Sequence, residues 1–287
     1  MKVAAGIVLF NPNEARLKKN ILSVNDQVDK IIFFDNGSNN ISSTKKLIES
    51  LQINYQLIES PKNKGIAYAL NAISKAAIED TYEWLLTLDQ DTVVMSDLIK
   101  SYSKYVDLPR VAQLSCAYKD VNSGEINNKI EGTQKYNIVD ACITSGTLMN
   151  LNCYKKVGGF DNNLFIDCVD TEISYVFKKD NYLTYRINKV GMLHELGHIQ
   201  KRNFLGFKIS VLNYPPFRLY YIYRNQIIVS KRFPKDMSKK YVIGSELFVI
   251  FKILLYENSK GSKIKAILSG IKDGLKYKNP RNGYNWR

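Results

Sequence analysis

Two aspartates one residue apart, Asp89 and Asp91, close the apolar run Trp84–Leu88. In an extended segment alternate side chains share a side, so both carboxylates are expected to face together. At about 4 Å in a surface-like dielectric they repel by about 4 kcal/mol. A hard divalent cation removes that cost and also grips phosphate oxygens. Asp35-Asn36-Gly37-Ser38 follows another apolar run and reads as a turn, with the Asp placed to accept a nucleobase N–H. Asn63-Lys64-Gly65 opens a helix, where free N–H groups and the dipole favour anions. The segment Phe165–Glu172 carries Asp167, Asp170 and Glu172. One carboxylate there suffices to cap a helix, and another can take a proton from an attacking hydroxyl.

A rival chemistry is written in His194-Glu195-Leu196-Gly197-His198, a literal HExxH that on a helix sets two histidines beside a glutamate for zinc. A catalytic zinc needs a third protein ligand, yet residues 199–235 contain no His, Asp, Glu or Cys. Lys201 and Phe204 stand where the extended zinc motif wants Gly and His, and Gly191 and Gly197 suit a loop. A zinc metalloprotease is therefore disfavoured, while a weaker metal role for His194 is retained.

The elements that must position these groups alternate. Val3–Phe10, Lys30–Phe34, Ile53–Ile58 and Trp84–Leu88 read as buried strands, and residues 13–25, 42–51 and 65–79 as helices. This alternation implies an α/β protein with a mostly parallel central sheet and helices on both faces. Ligands of such sheets bind beyond the carboxyl ends of the strands. Asn11, Asp35–Ser38, Lys62–Gly65 and Asp89–Asp91 all lie there. Val111–Ala117 and Val139–Asn150 read as further strands. Two terminal helices are expected, one with Ile243, Leu247, Ile250, Phe251 and Leu254 on its apolar face, the other with Ile264, Ile267, Leu268, Ile271 and Leu275.

Composition removes several classes. With 45% hydrophobic and 24% charged residues the 287-residue chain has a real core. Its longest apolar stretch, Val242–Tyr256, is broken by Glu246 and Lys252, so a membrane span is not expected. The four cysteines form no CxxC pair and Val3–Phe10 is too short for a signal peptide, which points to reduced thiols in the cytoplasm. The formal charge of +14 is unevenly placed: residues 201–287 hold 19 Lys/Arg and 4 Asp/Glu. That block suits a membrane surface, a phosphorylated substrate or nucleic acid. No zinc finger, RRM or helix-turn-helix signature accompanies it, so nucleic acid is not expected as a partner.

The ordered set Asp35-Asn36-Gly37-Ser38, Asn63-x-Gly65 with Asn71, Asp89-x-Asp91, Gly158-Gly159-Phe160-Asp161 and the Asp170 segment resembles inverting family 2 glycosyltransferases of the GT-A fold. Arg218-x-x-Tyr221-x-x-Arg224-Asn225 and the short Asp89-Gln90-Asp91 look like the bacterial rhamnosyltransferase branch, and the resemblance covers roughly residues 1–230. It implies that Asp35 holds the donor base and Asp89 the ribose, with Asn11, Asn36 and Gly65 on the donor side and Arg218 and Arg224 adding charge at the diphosphate. Asp91 binds Mg2+ or Mn2+, and His194 helps to hold the metal or diphosphate. Thr144-Ser145-Gly146 lines the acceptor side. Asp170 matches the general base, but Val169 stands where relatives have Glu. Asp167 and Glu172 are therefore alternatives for the base or for the missing acceptor-side charge.

The resulting expectation is a metal-dependent inverting transferase that moves L-rhamnose from dTDP-L-rhamnose to a lipid-linked or polysaccharide acceptor in cell-surface glycan synthesis. A GT-A catalytic domain over residues 1–230 is followed by a basic amphipathic helical extension, 231–287. The expected location is cytoplasmic, peripheral at the inner face of the membrane, and a homodimer is the competing use of the terminal helices.

Overall fold

The computed structural model describes residues 1–129, 132–195, 200–204 and 207–283. The chain divides into two compact units: Met1–Asn163 with Val169–Glu195 and Asn282–Arg287, and Leu164–Cys168 with Leu196–Arg281. Residue 230, the expected edge of the catalytic domain, falls within the second of these.

In the first unit β1 (Val3–Leu9), α1 (Glu14–Val24), β2 (Lys30–Asp35), α2 (Ile41–Ser50), β3 (Tyr55–Glu59), α3 (Ile66–Glu79) and β4 (Trp84–Asp89) follow one another. Then come β5 (Val93–Val94), α4 (Leu98–Tyr102), β6 (Val111–Asp120), β7 (Ile126–Asn127), β8 (Tyr136–Val139), β9 (Thr147–Asn150), α5 (Leu151–Lys156), α6 (Val169–Lys179) and β10 (Leu183–His194). The apolar runs of β1, β2 and β4 are buried almost end to end, as strands covered on both faces must be. The sheet order is β3-β2-β1-β4-β9-β6-β10-β5, with β7 on β6 and β8 on β10. The first four strands are parallel. Beyond them β9 enters antiparallel to both β4 and β6, while β6 and β10 are parallel again, so the second half of the sheet is mixed. The chain runs outward through β2 and β3 and returns to the other side of β1 as β4. This reversal opens a crevice at the carboxyl ends of β1 and β4, the position where such sheets take ligands.

The expected strand 139–150 is two short strands separated by a loop. The loop is pinned rather than paired: Gly146 N–H donates to the Thr87 carbonyl at 2.8 Å, and the buried Tyr102 hydroxyl donates to the Gly146 carbonyl at 2.6 Å. Asn71, on α3, is a second fixing point. Its Nδ2 donates to the Phe160 carbonyl (3.0 Å) and Asn162 Oδ1 (2.8 Å). Its Oδ1 accepts from Phe160 N–H (2.9 Å) and from the Tyr154 hydroxyl. The Gly158-Gly159-Phe160-Asp161 motif is thus folded around one amide. Asp161 is buried and accepts from Asn163 N–H and Asn282 N–H.

The second unit holds the hairpin β11 (Gln200–Phe204) and β12 (Phe207–Val211), then α7 (Pro216–Arg232), α8 (Lys239–Tyr256) and α9 (Lys260–Lys276). Its core is Leu219, Tyr223, Ile253 and Ile267, with Val249, Ile250, Ile264 and Ile271 packed against it. The backbones of α7 and α9 nearly touch: a Cβ on Gly274 would lie 2.8 Å from the Arg224 carbonyl oxygen, and one on Gly270 would collide with the Tyr220 carbonyl. Lys231 Nζ caps the end of α9 by donating to the Leu275 (2.9 Å) and Tyr277 (2.6 Å) carbonyls. Lys263 and Glu257 form a buried ion pair at 2.6 Å.

The expected apolar faces of the terminal helices are corrected here. In α8 Ile250 packs inward, but Phe251 and Leu254 are exposed, and the side chains of Ile243 and Leu247 lie outside those described; apolar residues recur around most of this helix, so periodicity does not mark the buried side. In α9 the contact with α7 centres on Ile267, Gly270 and Gly274, leaving Leu268 and Leu275 exposed.

Replacing Asn71 by Ala removes the partner of both the Phe160 N–H and the Phe160 carbonyl in the interior. At about 1–3 kcal/mol for each buried unsatisfied group, a loss of at least about 2 kcal/mol of unfolding free energy is expected, measured by urea denaturation.

Candidate active site

Three loops at the carboxyl edge are stitched to one another. Both oxygens of the buried Asp35 carboxylate accept from the Ser38 N–H (3.1 and 3.3 Å), and Oδ2 also from Gly37 N–H (3.2 Å). The carboxylate therefore shapes its own turn. Gly37 has φ +82°, and a Cβ there would sit 2.8 Å from the Lys62 backbone, so glycine lets the β2 and β3 loops touch. Asn36 Oδ1 accepts from Lys64 N–H at 2.7 Å and its Nδ2 donates to the Gly65 carbonyl at 3.3 Å. Asn11 N–H donates to Ser38 Oγ, and Asn11 Oδ1 accepts from Asn39 N–H, both at 2.8 Å. Asn11, Asp35, Asn36 and Gly65 are thereby brought into one cradle.

Asp89 and Asp91 are not two residues of one extended strand. Asp89 ends β4, and Thr92 N–H donates to its carbonyl at 3.2 Å, closing a turn over residues 89–92. The fully buried Asn20, from α1, donates through Nδ2 to the carbonyls of both Asp89 (2.8 Å) and Thr92 (2.7 Å), while among the described residues its own Oδ1 has no partner. Gln90 reaches back to the end of β1, accepting from Phe10 N–H at 2.9 Å and donating to its carbonyl at 3.3 Å. The turn separates the two carboxylates. Asp89 Oδ2 lies 4.0 Å from His194 Nε2, whereas Asp91 lines a cavity of about 320 Å³ with Arg16, Lys19, Asn122 and Glu195.

A hydrogen-bonded chain links this turn to the pinned loop. Ser145 Oγ accepts from Asp89 N–H at 3.0 Å and lies 2.7 Å from Thr92 Oγ1, which lies 3.0 Å from His194 Nδ1. With Nδ1 engaged by Thr92, Nε2 is the nitrogen turned toward Asp89. A cation with bonds of about 2.1 Å to nitrogen and oxygen spans two donors 4.0 Å apart, so the pair fits a divalent ion with open positions. Among the described residues no group of three His, Cys, Asp or Glu side chains gathers in a metal-holding arrangement.

His194 is the last residue of β10, so the motif opens on extended backbone. Glu195 is held by Arg16 in an ion pair and by Asn122 Nδ2 at 3.4 Å. His198 lies outside the described residues.

Asp170 sits in the first turn of α6, half-buried, its Oδ1 accepting from Thr171 N–H at 2.8 Å. It lies near the pinned loop: burial pushes the Cys142 thiol up to about 11, with a further upward contribution from the Asp170 charge. Burial likewise raises the thiols of Cys116 and Cys153. Glu172, one turn position further, has no exposed surface. In the second unit Arg218 binds Asp167 through Nη2–Oδ1 at 3.1 Å and Nε–Oδ2 at 3.3 Å, and lies over the Tyr214 ring. Asn225 Nδ2 donates to the carbonyls of Ile166 and Asp167. Arg224 rests over Tyr277 and donates to Asn225 Oδ1. The expected donor-side arginine and acceptor-side aspartate thus partner each other. Asn20, Gln90 and Thr92 were not expected; Gln90 and Thr92 lie beside the DxD aspartates in the chain, whereas Asn20 is far upstream and nothing in the sequence points to it.

The structure resembles several solved glycosyltransferases. It matches GalNAc-T7 with UDP, GalNAc and Mn2+ at a TM-score of 0.61, with 14% identity over 80% of this chain and 48% of that one, about half its length. The mannosyltransferase PcManGT from Pyrobaculum calidifontis, in complex with GDP-Man and Mn2+, gives 0.59 with 12% identity, covering 97% and 76% of the two chains. The fold is GT-A. The family model "Glycosyl transferase family 2" matches residues 5–160, and the chain belongs to that family. It is also 26% identical over 292 residues to dTDP-rhamnosyl transferase RfbF of Shigella flexneri, covering 96% of this chain and 95% of that protein.

Thr92→Val removes the hydroxyl that orients His194 without adding bulk. Groups that orient metal ligands typically matter 10- to 100-fold in affinity, so Mn2+ binding in the presence of dTDP, followed by calorimetry, is expected to weaken by at least about tenfold.

Proposed function

We propose that the protein is an inverting rhamnosyltransferase that uses dTDP-L-rhamnose and acts on a lipid-linked or polysaccharide acceptor at the cytoplasmic side of the membrane. The observation that carries the reading is the chain of contacts from Asp89 through Ser145 and Thr92 to His194, which ties the acidic turn to the 140–146 loop, with Asp170 in electrostatic reach of the same loop. The donor sugar is supported by the similarity to the Shigella flexneri enzyme.

The base and ribose of the donor lie along the cradle of Asn11, Asp35, Asn36 and Gly65. The diphosphate lies at the acidic turn. His194 and Asp89, with Asp91 next in the turn, would hold Mg2+ or Mn2+. Such an ion supplies neutralising charge to the departing diphosphate. Asp170 takes the proton of the acceptor hydroxyl as its oxygen attacks the anomeric carbon. The bond from that carbon to the diphosphate oxygen breaks on the opposite face, and dTDP leaves. Asp170 is favoured over its two rivals because Glu172 is shut away from solvent and both oxygens of Asp167 face Arg218.

Asp170→Asn keeps the size of the side chain and loses its basicity. Transfer is expected to fall by at least about a hundredfold while the thermal shift on adding dTDP-rhamnose with Mn2+ is unchanged. Near-normal turnover in this variant sinks the base assignment. A larger shift with UDP-glucose than with dTDP-rhamnose sinks the donor assignment.

A further inference from the structure

Apolar residues recur around most of the circumference of helix α8, a pattern that belongs in an interior, yet its described side chains are covered on one side. Ile253 is buried, with Val249 and Ile250 packed beside it. On the outer side Phe248, Phe251, Leu254 and Leu255 are 53%, 39%, 48% and 46% exposed. A cluster of four large apolar side chains on one helix marks an interaction surface rather than ordinary scatter. Lys252 lies over the Phe248 ring at 5.0 Å, its charge at the edge of this patch.

Helix α9 carries a second stripe of the same kind. Lys265, Leu268, Lys272 and Leu275 are spaced i, i+3, i+7, i+10, which puts them on one face, and all are exposed. Lys260, Lys276 and Lys278 are exposed as well. Against these lysines stands one exposed acid on α9, Asp273, whose Oδ2 accepts from the Tyr220 hydroxyl. Glu257 is buried in its pair with Lys263. Among the described residues no helix is long and apolar enough to cross a membrane.

We propose that α8 and α9 present a docking surface for an anionic phospholipid bilayer, with the exposed Phe and Leu side chains entering the headgroup boundary and the lysines meeting the lipid phosphates. Helices with an apolar patch beside lysines lie in this way in the plane of the interface, and long lysine stems let the charge stay in water while the chain below is buried. Charge selects the occupant. A second copy laid on this surface would set lysine against lysine, whereas an acidic bilayer complements the row.

The test uses the full chain and vesicles of phosphatidylcholine, with or without a minority of phosphatidylglycerol, in a flotation assay. No nucleotide sugar is present, so the outcome is independent of the transferase reading. The chain is expected to float with the anionic vesicles and not with the neutral ones, and to be released by salt. The triple variants Lys265→Gln/Lys272→Gln/Lys276→Gln and Phe248→Ser/Phe251→Ser/Leu255→Ser should each weaken binding by at least about tenfold with circular-dichroism melts like the parent. If the apolar variant fails to fold, the lysine variant and the salt series decide. Absent binding, equal binding to neutral vesicles, or a stable dimer by sedimentation that the apolar variant dissociates would overturn the proposal.

Discussion

One buried amide governs the acidic turn. Asn20 donates to the carbonyls at both ends of the Asp89–Thr92 turn, and so decides where the next residues point. Among the described residues its Oδ1 has no partner, a state that costs about 1–3 kcal/mol. An apolar side chain at this position would avoid that cost but could not hold two carbonyls. The arrangement therefore yields some stability in exchange for geometry, a pattern common where a site has to be rigid.

From this constraint the carboxylates sort into two kinds. Asp35 and Asp161 are buried and spend their oxygens on backbone N–H groups of their own turns; they build loops. Asp89, Asp91 and Asp170 keep surface open to solvent. Asp167 belongs to neither kind, since a guanidinium meets it edge to edge. The same residue type thus does three jobs, separated by what each backbone offers nearby.

Much of the fold was legible in the chain. The alternation of buried runs and helices up to Asp89 marked the parallel half of the sheet, because strands covered on both faces read as unbroken apolar stretches. What periodicity missed came from partners distant in sequence. The DxD pair reads as extended until Asn20 arrives from α1 and Gln90, inside the pair, turns back to the Phe10 backbone. Val139–Asn150 reads as one strand because its loop is held by Thr87 and Tyr102, both remote along the chain. The buried side of α8 was illegible for a different reason, since apolar residues recur around most of its circumference. HExxH was a false lead for the simplest cause: a motif is meaningful only on its proper backbone, and His194 lies in a strand.

The cysteines carry a practical corollary. Cys116, Cys142 and Cys153 are sunk in the interior and held as protonated thiols by that burial. Cys168 alone is partly open, two positions before Asp170. A maleimide dye offered to the folded protein would therefore find a single address, so a fluorophore can be attached without removing any native sulfur.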